Sequence, residues 1–302
     1  MRILITGSNG YIGAHACEVF GEANYVIGVG RKAKSSTVTN EYICCDFATD
    51  NVKKKLETIF ENGIDVVLHL AADNRREPFG IDVIKSNCIG TQALLELSEE
   101  YNIKAFIQLS SVPVIGSPRE IPITLKHSLE PPTIYHATKR MQELLADYAS
   151  RKTGLRCMSI RIPSPMGPGV NPRYIFPTFI RQAIKDEDIK IYGEGSRKQT
   201  YVHVKDICRA LEQAIESDAQ GVYLLGSPYL ISNYDLAKKV IEVLESKSKI
   251  VFTGQEDIYD GQSWEIDYSP LKEDIGYLPK IGLEEMILEY SEYLKRNEEI
   301  KK

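Results

Sequence analysis

The first half of the chain alternates short apolar runs with amphipathic stretches. The apolar runs are four or five residues long and rich in β-branched residues, as is typical of buried strands. They lie at 2–6, 25–29, 41–44, 66–70, 105–109 and 156–160. Apolar residues at helical spacing fill the intervals, at 12–22, 51–62, 81–101 and 135–153. This alternation predicts an α/β fold, in which helices cover both faces of a parallel sheet.

Proline and glycine become frequent at 163–172, a composition that interrupts regular structure. Beyond this stretch the pattern predicts a helix near 177–186, a strand at 190–192, a strand and helix over 201–217, and a last helix near 283–297. We therefore expect a large N-terminal domain at 1–165. A smaller part follows at 166–302, and we expect it to be interleaved with the first domain.

Three glycines follow the first predicted strand, where the first predicted helix begins. Gly7 permits a tight turn, Gly10 lets backbone amides approach a pyrophosphate, and Gly13 lets the helix pack closely on the strand. Phosphates would then lie at the positive end of the helix. In this strand–turn–helix context the spacing indicates a dinucleotide-binding loop, and the alternative is a glycine-rich loop without a ligand.

Tyr135 and Lys139 lie four residues apart on the fourth predicted helix and therefore share one face. The usual pKa of a tyrosine, about 10, is too high for proton exchange at neutral pH, and a neighbouring ammonium group lowers it. Such a tyrosine can exchange a proton with a carbonyl or alcohol oxygen while a nicotinamide exchanges hydride. His136 points about 100° away from Tyr135 on a helix, so we interpret it as a surface or partner-binding residue.

The motifs resemble, in their order along the chain, those of the extended short-chain dehydrogenases/reductases, the nucleotide-sugar epimerase/dehydratase superfamily. They read TGSNGYIG at 6–13, HLAA at 69–72, NCIGT at 87–91, YHATK at 135–139, GEG at 193–195 and YVHVKD at 201–206. The resemblance implies a Rossmann-type doubly wound parallel sheet with a smaller C-terminal substrate-binding domain. It also implies that an NAD(P) cofactor is bound along the N-terminal domain.

The same resemblance implies the roles of individual residues. Tyr135 would exchange the proton, Lys139 would assist it and hold the nicotinamide ribose, and Ser111 would orient the substrate oxygen. Ser111 rather than Ser110 aligns with the family's hydroxyl, because VIG at 114–116 matches its V-Y-G. Asp46 would contact the adenine, and Asn87 would support the active site. The residues that the resemblance further implies in cofactor binding are Gly7, Asn9, Gly10, Tyr11, Ile12, Gly13, Asp46, Phe47, Leu70, Ala71, Ala72 and Asn87.

Several positions depart from the family's pattern. Dehydratases of the family carry an acidic pair directly after the catalytic hydroxyl, where this chain has Val112 and Pro113. Neither side chain can move a proton, which argues against a 4,6-dehydratase. Ser164 also stands where the family has an asparagine that touches the substrate.

The positive charges that usually bind a nucleotide diphosphate are also displaced. Gln199 replaces one expected arginine, and the segment 255–260, where a second is expected, is acidic. Without them the diphosphate loses its strongest hydrogen bonds. Arg197 and Lys198 lie near Gln199, and Arg173 and Arg181 are the other candidates to replace the missing contacts. The predicted substrate-binding residues are Val112, Ser164, Arg173, Arg197 and Gln199.

The end of the second predicted strand favours NADP(H). An NAD enzyme usually carries a carboxylate there, whereas this chain has Arg31, with basic and hydroxyl residues after it. No carboxylate occurs between Glu22 and Glu41. A guanidinium group binds a 2′-phosphate through charge-assisted hydrogen bonds. NADP is therefore the predicted cofactor; the alternative is NAD beside a solvated basic loop.

Composition excludes several classes of protein. The 302 residues include 37 Lys+Arg and 42 Asp+Glu, and the net charge of −5 argues against a nucleic-acid partner. No apolar run approaches the roughly 18 residues of a membrane helix. Six cysteines without a CxxC pair predict reduced core thiols in the cytoplasm and no metal site.

These observations predict an NAD(P)-dependent oxidoreductase that acts on a small molecule and reduces a keto group of a nucleotide-activated sugar. A nucleotide-sugar 4-epimerase is the first alternative, and a non-catalytic dinucleotide-binding sensor or scaffold is the second. The resemblance also implies a homodimer that pairs the helices at 81–101 and 135–153.

Overall fold

A seven-stranded parallel sheet lies at the centre of the structure, a computed structural model that describes residues 1–74 and 80–299. The strands are β1 (Arg2–Thr6), β2 (Tyr25–Gly30), β3 (Glu41–Cys44), β4 (Val66–His69), β5 (Ala105–Ser111), β6 (Cys157–Ile162), β7 (Ser164–Met166), β8 (Ile189–Ile191), β9 (Lys198–His203), β10 (Gly221–Leu224), β11 (Leu230–Ser232) and β12 (Ile250–Phe252). The central sheet has the order β10-β6-β5-β4-β1-β2-β3, and every neighbouring pair in it is parallel. The predicted Rossmann-type α/β fold is therefore confirmed.

Helices cover both faces of this sheet. They are α1 (Tyr11–Gly21), α2 (Val52–Glu61), α3 (Ile81–Ile84), α4 (Gly90–Glu100), α5 (Ile134–Thr153), α6 (Ile175–Ile184), α7 (Val204–Glu216), α8 (Asn233–Val243), α9 (Ser269–Ile275) and α10 (Leu283–Glu299). One face buries apolar residues of α1, α7 and α9, such as Phe20 and Leu211. The other buries residues of α2, α4 and α5, such as Leu56 and Leu94. The two apolar layers explain why the inner strands read as continuous apolar runs.

The C-terminal part forms a second core. Strand β9 lies between β7, to which it is parallel, and β11, to which it is antiparallel. Helices α6, α8 and α10 pack together around Phe176, Leu236 and Ile287. Strand β10 and helices α7 and α9 also follow residue 165, yet they belong to the layers of the central sheet. The C-terminal half of the chain therefore contributes to both cores.

Several elements differ from the sequence prediction. The strand at the β10 edge is absent from the predicted set, because four residues that start with Gly221 give too short a pattern. The structure also contains elements that the sequence pattern did not predict, namely strands β7, β11 and β12 and helices α8 and α9. The single helix predicted over 81–101 is interrupted by a π-helical turn at Lys85–Ile89. Among the described residues no helix is long and apolar enough to cross a membrane.

The turn between β1 and α1 depends on its glycines. Gly7 has φ +71°, in the left-handed region that favours glycine. A Cβ atom on Gly13 would lie 2.1 Å from the carbonyl oxygen of Gly7. A side chain on Gly13 would therefore separate α1 from the end of β1, and one on Gly7 would collide with Ala71 after β4.

A buried ion pair joins α5 to the central sheet. Both carboxylate oxygens of Glu143 accept hydrogen bonds from Arg161 on β6, each at 2.8 Å. The Ser110 hydroxyl donates to the same carboxylate at 2.6 Å, and Arg140 donates to it at 2.9 Å. These contacts fix the rotation of α5, and with it the direction of the side chains on its other face.

Candidate active site

A cleft of about 840 Å³ opens at the carboxyl ends of the central strands and is bounded by the C-terminal part. The chain leaves β1 toward β2 and β3 on one side and later runs from β4 toward β5 and β6 on the other. The strand order therefore reverses between β1 and β4. Open α/β sheets bind ligands at such a reversal.

A smaller pocket of about 240 Å³ continues the cleft toward β2. Both cavities are lined by Gly7 and Gly10, so they meet at the turn before α1. A Cβ atom on Gly10 would lie 3.0 Å from the Gly7 carbonyl oxygen, so backbone alone forms this surface. The arrangement fits a dinucleotide, with its diphosphate at the glycine turn, its adenosine in the small pocket and its nicotinamide in the cleft.

The cleft brings together the three predicted catalytic residues. Ser111 ends β5, and Tyr135 and Lys139 lie on the first two turns of α5. The neighbouring Ser110 is buried and its hydroxyl is engaged by Glu143. The Ser111 hydroxyl has no hydrogen-bond partner in the described part of the chain. The geometry therefore supports the choice of Ser111 over Ser110.

Burial controls the charges of Tyr135 and Lys139. Desolvation raises the pKa of Tyr135 to about 12, with a further contribution from Tyr174. Desolvation lowers the pKa of Lys139 to about 8, and the nearby Glu143 carboxylate partly offsets this. The sequence predicts a tyrosine pKa lowered by the ammonium group. Burial prevails instead, because Lys139 Nζ donates to the Leu109 carbonyl at 2.8 Å and lies 6.0 Å from the tyrosine ring centre.

Asn87 lies behind the cleft and not in its wall. Its Oδ1 accepts a hydrogen bond from the Asp73 amide at 2.7 Å, and its Nδ2 donates to the Asp73 carbonyl at 2.8 Å and to Thr138 Oγ1 at 2.9 Å. The π-helical turn Lys85–Ile89 carries Asn87 to this position. Asn87 thus ties the segment after β4 to α5, in agreement with the supporting role that the resemblance implies.

Most of the predicted cofactor residues line the two cavities, but two serve other purposes. The Asp46 carboxylate accepts from the Ala48 amide at 3.0 Å in the turn after β3 and does not line the small pocket. Asn9 lines that pocket, yet its side chain holds the segment after β2. Its Nδ2 donates to Tyr42 Oη at 2.9 Å, and its Oδ1 accepts from the Ser36 amide at 2.7 Å. The remaining cofactor residues that line a cavity are Gly7, Gly10, Tyr11, Ile12, Gly13, Arg31, Phe47, Leu70, Ala71, Ala72, Tyr135 and Lys139.

The predicted substrate-binding residues all line the cleft: Val112, Ser164, Arg173, Arg197 and Gln199. Arg197 precedes Gln199 by two residues, so both side chains lie on one face of the extended chain. The Arg197 guanidinium lies 4.8 Å from the centre of the Tyr259 ring, and its buried Nε has no hydrogen-bond partner among the described residues. Arg181 points elsewhere, since it donates to the Pro172 carbonyl at 3.0 Å.

The acidic segment 255–260 does not face the cleft. Asp260 accepts hydrogen bonds from the backbone amides of Glu194 and Ser196 at 2.6 and 3.0 Å. Its carboxylate therefore stabilises the glycine-containing turn before β9. Within the described ranges, no aspartate or glutamate lines the cleft.

Many cleft residues lie outside the predicted set, and three of them carry polar rings that matter to the site. His136 lines the cleft beside Tyr135, although its helical position predicts a surface residue. Tyr174 and Trp264 also line it, and no sequence motif marks either one. His136 is placed there by α5, whereas the packing of the C-terminal part brings Tyr174 and Trp264 to the site.

Similar proteins share this architecture. A UDP-glucose 4-epimerase from Thermotoga maritima, crystallised with UDP-glucose, is 26% identical, with a TM-score of 0.88 over 98% of this chain and 99% of that one. A dTDP-glucose 4,6-dehydratase from Bacillus anthracis in complex with NAD has the same fold, with a TM-score of 0.82 and 23% identity over 99% of this chain and 98% of that one.

Sequence comparison gives the same result. A dTDP-glucose 4,6-dehydratase from Streptomyces niveus is 24% identical over 314 residues, which cover 98% of this chain and 94% of the relative. The model of the NAD dependent epimerase/dehydratase family matches residues 3–226. This segment contains the glycine turn, Ser111, Tyr135, Lys139 and the whole central sheet up to β10. The resemblance is confirmed: the chain belongs to the NAD-dependent epimerase/dehydratase family of enzymes.

Proposed function

We propose that the protein reduces a keto group of a nucleotide-activated sugar with NADPH, and that this is a 4-keto group. The composition of the cleft carries this proposal. Burial keeps the Tyr135 phenol protonated at neutral pH, and Arg173 and Arg197 line the same cleft, whereas no carboxylate does so in residues 1–74 and 80–299. A cationic cleft with a neutral acid suits an anionic substrate that must receive a proton.

Two arginines can replace the diphosphate contacts that Gln199 does not supply. Arg197 lies two residues before Gln199. Its buried Nε has no acceptor among the described residues, which is costly unless a ligand binds it. Arg173 lines the cleft in the loop before α6. Guanidinium groups bind phosphate oxygens through charge-assisted hydrogen bonds. Relatives named for UDP-glucose and dTDP-glucose support a substrate of this class.

The residues around Tyr135 define the chemistry of the reduction. A nicotinamide cofactor supplies hydride when it is bound. Ser111 holds the substrate carbonyl by its oxygen, and Tyr135 donates its proton to that oxygen as negative charge develops there. Lys139 stabilises the phenolate that remains, because an ammonium group buried nearby favours the charged form. Glu143 helps to keep Lys139 charged.

A nucleotide-sugar 4-epimerase is the second candidate, and the similarity to the Thermotoga maritima epimerase favours it. The same tyrosine would first accept and then return the proton. A 4,6-dehydratase also needs an acid and a base for the loss of water. The structure has Val112 and Pro113 in the cleft wall after Ser111, and no described carboxylate nearby replaces the acidic pair.

The small pocket supports NADP(H) as the cofactor. Arg31 and Lys32 line it, and Arg31 Nη1 forms an ion pair with Asp73 at 3.3 Å, while about half of the arginine side chain stays exposed. Asn9 and Tyr42 hold the following basic segment against the glycine turn. The basic groups are therefore held at the mouth of the adenosine pocket, where a 2′-phosphate would lie.

We further propose a homodimer. Helices α3, α4 and α5 pack side by side, and their outer faces expose large apolar side chains. Such a patch on neighbouring helices is typical of a protein interface, and a twofold axis would pair it with itself. The exposed residues are Ile81, Ile84, Ile89, Met141, Leu144 and Tyr148.

We propose the cytoplasm as the location of the protein. All six cysteines are free thiols, and Cys17, Cys45, Cys157 and Cys208 are buried. Free thiols of this kind suit a reducing compartment.

The stoichiometry of cofactor use tests the reaction. The purified protein should oxidise one NADPH for each molecule of a 4-keto-6-deoxy sugar linked to dTDP or UDP, followed by absorbance at the nicotinamide band and by product analysis. Interconversion of UDP-glucose and its 4-epimer without net cofactor use would replace the reductase by the epimerase. Tight cofactor binding without turnover of either class would support a sensor or scaffold.

Tyr135→Phe should lower kcat in this assay by about a hundredfold or more, because the phenol supplies the proton. NADPH affinity should change little, since the hydroxyl faces the substrate. In the wild type, kcat should fall as the pH rises through about 8, because Lys139 is charged below its pKa and neutral above it.

Lys139→Arg is the matched control for this pH dependence. A guanidinium group stays charged over the whole range, so the residual activity of the variant should show no decline near pH 8. A Tyr135→Phe variant with nearly normal turnover, or a decline that persists in Lys139→Arg, would contradict these assignments.

Arg31→Asp should weaken NADPH binding by about 1–3 kcal/mol, the scale of hydrogen bonds to charged groups, and shift preference toward NADH. Arg31→Gln should show part of the loss without placing a second carboxylate beside Asp73. Lys54→Asp, an equal change of charge on the exposed face of α2, should leave both affinities unchanged. The measurement is the dissociation constant of each cofactor for the wild type and the variants. Tighter binding of NADH than of NADPH by the wild type would contradict the proposed preference for NADPH.

Leu144→Glu should convert the dimer to a monomer, because it places charge in the apolar patch. Leu288→Glu on α10 is the matched control, since Leu144 and Leu288 are 44% and 43% exposed. Light scattering on the eluting protein at micromolar concentration measures the mass. A wild-type mass of a single chain would refute the dimer.

A further inference from the structure

His136 lies on the cleft wall directly beside the catalytic tyrosine. The rings of Tyr135 and His136 meet edge to face, with their centres 5.0 Å apart. The imidazole is partly buried and lines the cleft, and burial lowers its pKa, so the ring is neutral at pH 7. The proposed reduction assigns no role to this imidazole.

The Thr133 hydroxyl contacts one ring nitrogen of His136. The Thr133 hydroxyl caps the start of α5 by accepting the His136 amide hydrogen bond at 3.3 Å, and it also lies 2.8 Å from His136 Nδ1. No other described residue accepts a hydrogen bond from this hydroxyl, so it can donate its hydrogen to Nδ1. In that tautomer Nδ1 accepts and the ring proton lies on Nε2.

In this tautomer Nε2–H is a donor on a residue that lines the cleft beside Tyr135. It has no hydrogen-bond partner among the described residues. The other side of this region is apolar, since Val112, Pro113 and Ile162 form the wall beside Ser111. His136 therefore supplies a polar group beside Tyr135, opposite an apolar wall.

We propose that His136 determines sugar specificity by donating from Nε2 to the hydroxyl on the carbon next to the reacting carbonyl. This inference rests on the proposed function, and for a 4-keto sugar that hydroxyl is on C3, because C5 bears the ring oxygen and C6. Because the rings of Tyr135 and His136 are in contact, a sugar whose carbonyl meets Tyr135 would present the substituent on the next carbon to His136. A neutral imidazole suits a neutral hydroxyl, whereas the phosphates require the arginines.

The test compares His136→Phe with His136→Gln, whose amide can place a donor near the position of Nε2. With dTDP-4-keto-6-deoxyglucose and saturating NADPH, His136→Phe should raise KM by roughly 3- to 20-fold, the cost of one lost hydrogen bond. Its kcat should change less than KM. His136→Gln should recover most of the affinity, and NADPH binding should be unchanged in both variants.

A substrate without the C3 hydroxyl separates recognition from packing. For the 3-deoxy analogue, the wild type and His136→Phe should have the same KM, because the acceptor is absent. Thr133→Val should raise KM for the intact sugar, whereas Thr133→Ser should not. An unchanged KM in His136→Phe, an equal loss with the deoxy analogue, or a loss confined to kcat would overturn the proposal.

A second measurement keeps this result independent of the reduction. In the Tyr135→Phe background, which prevents turnover, the dissociation constants of UDP-glucose and its 3-deoxy analogue should differ in the NADP⁺-loaded protein only when His136 is present. A wild type that turns over no keto sugar refutes the proposed function, and the binding ratio still decides the role of His136. Equal binding of both sugars would exclude that role.

Discussion

The contact between the backbone of Gly7 and that of Gly13 is the constraint on which the rest of the structure depends. A single methyl group on Gly13 would come within 2.1 Å of the Gly7 carbonyl, and one on Gly7 would come within 2.7 Å of the Ala71 Cα atom. Strand β1, helix α1 and the segment after β4 therefore meet through backbone alone. Because no side chain fills this junction, backbone amides and the positive end of α1 are accessible at the point where the strand order reverses.

Charge is separated within the fold in a way that serves the cleft. The chain carries a net charge of −5, yet the described lining of the cleft contains cations and no carboxylate. Glu143 is held behind Lys139 by Arg161, and Asp260 is used by the backbone of the turn before β9. Arg161 compensates the charge of Glu143, backbone amides hold the Asp260 carboxylate, and neither acid lines the cleft. The position of the acids thus matters more to this site than their number.

Several polar residues act on the site without facing it. Asn87 fixes the segment after β4 against α5, and Asn9 fixes the basic segment after β2 against the glycine turn. Thr133 orients the imidazole of His136 by the same hydroxyl that caps α5. Such contacts restrict the conformations that the lining can adopt before a ligand arrives, which reduces the cost of ordering it during binding.

The sequence by itself determined the features that local spacing encodes. The strand and helix pattern, the glycine turn and the Tyr135–Lys139 pair all depend on residues a few positions apart. The sequence did not predict the edge strand β10, because its four residues are too few for a recognisable pattern. It did not predict the π-helical turn at Asn87 either, because one extra residue in a helix hardly changes the apolar spacing.

Only the tertiary structure decided the environment of the site. The pKa of Tyr135 is raised because burial outweighs an ammonium group that the Leu109 carbonyl holds 6.0 Å from the ring centre. His136 and Arg197 line one cleft although they are about 60 residues apart, because the C-terminal part bounds the cleft that opens beside α5. Desolvation, distance and enclosure are properties of residues far apart in the chain, and no local spacing contains them.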